Sequence, residues 1–133
     1  MRIEGQCHCG SIAYAATIDP DTVGICHCTD CQTLSGSPYR AAVAAPAADF
    51  VLLRGTPRIY IKTADSGTKR AQAFCPDCGT PIYAAAPHDP PTYSLRIGAI
   101  RQRAALRPQR QIWCDSALSW SMDISAIDKR ERQ

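Results

Sequence analysis

The sequence predicts one mainly β domain with one or two helical turns, and three observations predict it. Apolar residues come in short alternating runs, as half-buried strands require. Ten prolines and eight glycines in 133 residues interrupt those runs before a long helix could form. Seven of the eight cysteines fall into three tight clusters, Cys7–Cys9, Cys26–Cys31 and Cys75–Cys78, leaving Cys114 alone. Metal held between such clusters would staple a short chain into one unit.

The elements follow in chain order. Ile12, Tyr14, Ala16 and Ile18 alternate as a strand, ended by the turn Asp19-Pro20-Asp21. Val23 to Cys28 is a second short strand, and Ser35-Gly36-Ser37-Pro38 is a loop. Tyr39 to Ala45 resumes a strand; Pro46 argues against reading the alanine-rich stretch Ala41–Ala48 as helix. Phe50 to Leu53 and Ile59 to Lys62 are strands, separated by the turn Arg54-Gly55-Thr56-Pro57. Gln72 to Cys75 leads into a Cys-x-x-Cys knuckle and Pro81 to Ala85 leads out of it. Three prolines between Ala86 and Thr92 break the chain before Tyr93, Leu95 and Ile97 alternate again. Arg101 to Arg107 forms a short helical turn limited by Pro108, and Ile112–Asp115 and Trp120–Ile124 finish the domain. The expected division is a domain over residues 1–125 and a polar tail over 126–133, where Asp128-Lys129-Arg130-Glu131-Arg132 mixes both signs.

A hydrophobic fraction of 45% and a charged fraction of 20% are those of a soluble globular protein, and a net charge of +3 is too small to argue for nucleic acid. Met1–Gln6 has no apolar core of the signal-peptide kind, and no run approaches the roughly 18 apolar residues of a membrane span. The expected location is cytoplasmic, with no membrane partner and an open oligomeric state. In a reducing compartment, clustered cysteines are metal ligands or redox centres before they are disulfides.

Four thiolates complete a tetrahedral zinc site, whereas three leave a position open for water or substrate. Four plus three therefore predicts two zinc ions, one structural and one catalytic. In a strand, Cys7 and Cys9 would face one side together, and Cys75 and Cys78 fit a zinc knuckle with Gly79 letting the backbone curl beneath the metal. The two pairs together make one four-cysteine structural site. Cys26, Cys28 and Cys31 supply three ligands from one strand-to-turn segment, the open catalytic site. Cys114 or His27 as fourth ligand would close it, although Cys114 reads equally well as a small apolar residue in a buried strand. His8 and His27 lie between ligands on the opposite face and read as surface or supporting histidines, and His88 as exposed.

The set Gly5-Gln6-Cys7-His8-Cys9-Gly10, Cys26-His27-Cys28-Thr29-Asp30-Cys31, Leu34-Ser35-Gly36-Ser37-Pro38, Phe74-Cys75-Pro76-Asp77-Cys78-Gly79-Thr80 and Ile112-Trp113-Cys114-Asp115-Ser116 with Trp120 resembles the glutathione-dependent formaldehyde-activating family. Centromere-protein-V-like zinc domains share the likeness, which covers about Gly5 to Trp120. The resemblance implies small antiparallel sheets around zinc, a β-tent related to a zinc-binding chaperone of Rab GTPases. It implies Cys7, Cys9, Cys75 and Cys78 on the structural zinc and Cys26, Cys28 and Cys31 on the catalytic one. The implied activity is that of a carbon–sulfur lyase, joining formaldehyde and glutathione into S-(hydroxymethyl)glutathione or cleaving that adduct. Many relatives carry His where this chain has Gln111, and Cys114 is an extra thiol.

The partners expected are a small thiol, glutathione among the candidates, and an aldehyde. Ser35, Gly36 and Ser37 are candidates for substrate contact, with His27 or Asp30 as proton shuttles. Arg40, Arg54, Arg96 and Arg101 are available to meet a carboxylate. Two readings from other classes stay open: a zinc-binding protein-interaction module, and a thiol redox protein cycling the three-cysteine cluster through a disulfide.

Overall fold

A computed structural model describes residues 1–133. The chain is mainly β, as the alternation predicts. Its strands are β1 (Arg2–Gln6), β2 (Ala13–Thr17), β3 (Gly24–Cys26), β4 (Arg40–Pro46), β5 (Phe50–Arg54), β6 (Arg58–Thr63), β7 (Lys69–Phe74), β8 (Pro81–Ala85), β9 (Thr92–Arg96) and β10 (Arg110–Ile112). One α-helix, α1 (Thr29–Ser35), follows β3. Short 3-10 turns fill several connections, among them Arg103–Ala105, where a helical turn is expected.

Two sheets result. A three-stranded antiparallel sheet runs β1-β2-β5, and a seven-stranded sheet runs β10-β3-β4-β9-β8-β7-β6. All its pairs are antiparallel except β10 with β3. The core lies on one face of the large sheet, where Val43 and Ala45 of β4 and Leu95 of β9 pack with Ile3, Ile12, Tyr14 and Ile82. Phe50, Tyr83 and Tyr93 stack beside them, with Phe50 and Tyr93 ring centres 4.5 Å apart.

The sequence pattern misplaces four segments. β1 carries one large apolar residue, Ile3, too little to show an alternation, yet pairs with β2 along its whole length. The strand expected over Val23–Cys28 is only Gly24–Cys26, because Cys28 is already the cap of α1. At the other end, β10 stops at Ile112, and Cys114–Ser116 and Ser119–Met122 are 3-10 turns. Cys114 is exposed in the first of these, not buried in a strand.

Because strand residues alternate faces, the face of the large sheet opposite the core is fixed by the same register. It carries Cys26 from β3, Arg40, Ala42 and Ala44 from β4, Ser94 and Arg96 from β9, Ala84 from β8, Arg70 and Gln72 from β7 and Lys62 from β6. Alanine and serine in the middle, with long cations around them, leave that face hollow. No helix is long and apolar enough to cross a membrane.

Candidate metal centres and their cavity

Cys7, Cys9, Cys75 and Cys78 converge, with all four sulfurs within 4.8 Å of one another. Cys9 Sγ lies 3.6 Å from Cys7 Sγ and 3.7 Å from Cys75 Sγ. Two sulfurs on a tetrahedral zinc with Zn–S of about 2.3 Å are separated by about 3.8 Å, whereas a disulfide holds them near 2.05 Å. The spacing and the all-thiol donor set therefore fit a zinc ion, and all eight cysteines are free.

The local geometry differs from the strand expected for Cys7 and Cys9. β1 ends at Gln6, and residues 7–10 turn, with the Gly10 N–H donating to Cys7 O at 3.1 Å. A matching turn in the knuckle has the Gly79 N–H donating to Cys75 O at 2.9 Å. The Ile12 N–H donates to Cys7 Sγ at 3.2 Å, and Thr80 Oγ1 lies 3.2 Å from Cys78 Sγ. Hydrogen bonding, first from Thr80 and then from the Cys9 backbone, pulls the Cys78 thiol down to about 5, while burial pushes Cys75 up to about 11. Cys7 and Cys75 are part of the hydrophobic core, so this centre is anchored in the fold's interior.

Cys26, Cys28 and Cys31 form the second cluster, again with sulfurs within 4.8 Å. Cys26 ends β3, Cys28 is the N-cap of α1, and Cys31 sits in its first turn. The Cys31 N–H donates to Cys28 Sγ at 3.3 Å, so a thiol takes the capping role usually filled by an oxygen. Burial pushes the Cys31 thiol up to about 12. Three thiols and no carboxylate or imidazole fit zinc with one position left over.

All three open into a cavity of about 460 Å³ on the hollow face of the large sheet. Its cations come from separate strands: Arg40, Lys62, Arg70, Arg96 and Arg110. Lys62 Nζ lies 2.7 Å from Asp30 Oδ2, and that hydrogen bond raises its pKa, keeping the amine charged. Leu34, Ile112 and Trp113 supply apolar wall.

Several expected participants lie elsewhere. Ser35 Oγ donates to Cys31 O within the helix at 2.6 Å, Gly36 is the left-handed C-cap at φ 62°, and Ser37 is exposed. None of the three lines the cavity. His27 is buried behind the cluster, its Nε2 2.8 Å from Gln111 Oε1, and His8 and His88 are exposed. Asp30, by contrast, does line the cavity, where Lys62 holds its carboxylate. Cys114 is no part of either cluster. Of the four arginines, Arg40 and Arg96 reach the cavity, whereas Arg54 donates to Gly10 O at 2.6 Å and Arg101 pairs with Glu4 at 3.0 Å. Lys62 and Arg110 were not singled out by the sequence, since only the pairing of distant strands brings them to the cysteines.

Residues 2–116 match the family described as glutathione-dependent formaldehyde-activating enzyme. No curated protein matches the chain. A Rhodobacter sphaeroides protein of known crystal structure is similar in fold, with a TM-score of 0.62 and 18% identity over 81% of this chain and 98% of that one.

Proposed function

The chain belongs to the glutathione-dependent formaldehyde-activating enzyme family, and from that premise we propose that it is a zinc-dependent carbon–sulfur lyase that forms or cleaves a thiol–aldehyde adduct. In this reading Cys7, Cys9, Cys75 and Cys78 hold a structural zinc, and Cys26, Cys28 and Cys31 hold a catalytic one. One observation carries it: of the two thiol clusters, the one with three ligands has every one of them on the wall of the cation-lined cavity on the hollow sheet face.

Zinc bound there supplies the positive charge that lowers a thiol's pKa while leaving it nucleophilic. The residues around it complete the chemistry. The substrate sulfur forms a bond to the carbonyl carbon, the carbonyl π pair moves onto oxygen, and the thiol proton ends on that oxygen as a hydroxyl. Lys62, kept cationic by Asp30, is the donor placed on the cavity wall for the developing alkoxide. Leu34, Ile112 and Trp113 limit water around the carbonyl. The reverse sequence cleaves the adduct. Glutathione and formaldehyde are the reactants that the family's name supplies.

The test is exchange NMR on equilibrated formaldehyde and glutathione, with zinc per chain counted on protein purified anaerobically. Two zinc ions and faster exchange between free and adduct carbon are expected. Cys31→Ser should drop the count to one and return exchange to the uncatalysed rate while the far-UV spectrum persists. Two zinc ions with no acceleration, for this pair or for other small thiols and aldehydes, would remove the lyase reading.

A further inference from the structure

Arg40 and Arg96 place buried guanidinium groups on the cavity face, each residue only 8% exposed. Arg40 is the direct cross-strand partner of Cys26, which sets their Cα atoms about 5 Å apart with side chains on one face. Arg96 pairs with Ala42, two residues further along β4, and so lies on that face too. No carboxylate meets either arginine: the ion pairs of the chain are Lys62–Asp30, Arg101–Glu4 and Arg130–Asp128. Instead the two cations share one neutral acceptor, Gln72 Oε1, at 3.2 Å from Arg40 Nη1 and 2.9 Å from Arg96 Nη2. The buried Nε of Arg40 has no partner. Burial, and then the charge of Arg40, pulls Arg96 down to about 9. Two desolvated cations with spare donors, whose nearest source of negative charge is the Cys26 and Cys31 thiols rather than a carboxylate, are costly, and an anion seated between them would relieve both.

We propose that Arg40 and Arg96 clamp a carboxylate of the reactant handled at the three-cysteine centre, making that reactant a carboxylic acid. The inference rests on the thiol–aldehyde reading above and adds the substrate class. A carboxylate suits the planar forks of two guanidiniums. It also suits the charge of the site, because three thiolates on a divalent ion are already net negative and repel a phosphate dianion more than a monoanion. Ala42, Ala84 and Ser94 leave room on the cavity floor for the carbons that join the carboxylate to the reacting atom.

Calorimetric titration of the zinc-loaded protein with mercaptoacetate, its S-methyl thioether and 2-mercaptoethanol separates the carboxylate from the sulfur. Mercaptoacetate should bind at least tenfold more tightly than 2-mercaptoethanol, and the thioether should bind measurably. Arg96→Gln should abolish the tenfold advantage and leave 2-mercaptoethanol unchanged. Equal binding of mercaptoacetate and 2-mercaptoethanol to the unaltered chain overturns the clamp while the thiol reading stands, and that comparison needs no variant to fold. A carboxylate that only joins its own sulfur on the metal would keep its advantage in Arg96→Gln, which also overturns the clamp. Equal weakening of both thiols by that variant does the same, since the arginines would then serve only to balance the cysteines. Binding of the thioether without 2-mercaptoethanol keeps the clamp and removes the thiol reading. Arg40→Lys, which keeps the charge and loses the fork, should lose most of the advantage as well.

Discussion

At the scale of single residues, Gly5 and Tyr14 show how sequence constraint can arise from packing alone. They are cross-strand partners, and the tyrosine ring lies over the glycine so closely that an added Cβ would fall 1.9 Å from Tyr14 Cζ. Gly5→Ala should therefore destabilise the fold by about 1–3 kcal/mol, read from the urea midpoint. The Tyr14 hydroxyl is buried without a partner, and its burial raises the phenol's pKa. Tyr14→Phe should have the opposite sign, neutral to about 1 kcal/mol stabilising in the same assay, because it deletes an unsatisfied polar group and keeps the ring. A loss above about 1 kcal/mol would mean that the hydroxyl has a partner after all. The cysteines were legible one by one because metal spacing is short-range chemistry. The clash at Gly5 was not, since it needs the register of two strands.

At the scale of elements, α1 sets the three-cysteine cluster and was missed, whereas most strands were read to within a few residues. The reason is physical. The seven residues Thr29–Ser35 contain one large apolar side chain, Leu34, so there is no 3.6-residue stripe to find, and the capping residue is a cysteine. Tertiary contacts supply what periodicity lacks. Gln32 Nε2 donates to His27 O at 2.7 Å and to Ser116 O at 3.0 Å, tying the helix to the segment before it and to the 3-10 turn after β10. Gln32→Ala should cost about 1–2 kcal/mol of stability. It should also speed hydrogen exchange near α1 and residues 114–116 while sparing β7 and β8; uniform acceleration would show that the helix is not locally tied.

At the scale of the whole molecule, the four-cysteine centre joins the turn after β1 to the turn between β7 and β8, and two of its cysteines belong to the core. A structural zinc site contributes on the order of 10 kcal/mol to folding in small domains. If both clusters hold zinc as proposed, stripping it with a strong chelator should unfold the chain, whereas a weak chelator that empties only the three-cysteine site should lower the melting temperature by a few degrees at most. A chelated chain that keeps its native melting profile would show that the core alone sustains the fold. The cavity is the least legible feature at this scale, because its walls come from β3, α1, β4, β6, β7, β8, β9 and β10, and no linear pattern joins them. Chain order also gives the two thiol sets different histories during synthesis. Cys26, Cys28 and Cys31 leave the ribosome almost together, while Cys7 and Cys9 wait roughly 3–14 s for Cys75 and Cys78 at ordinary elongation rates. β10, which walls the trio's cavity, emerges later still. A nascent chain thus holds the complete trio together well before the strand that walls it exists, which makes translation the stage at which soft metals and electrophiles have freest access to those sulfurs.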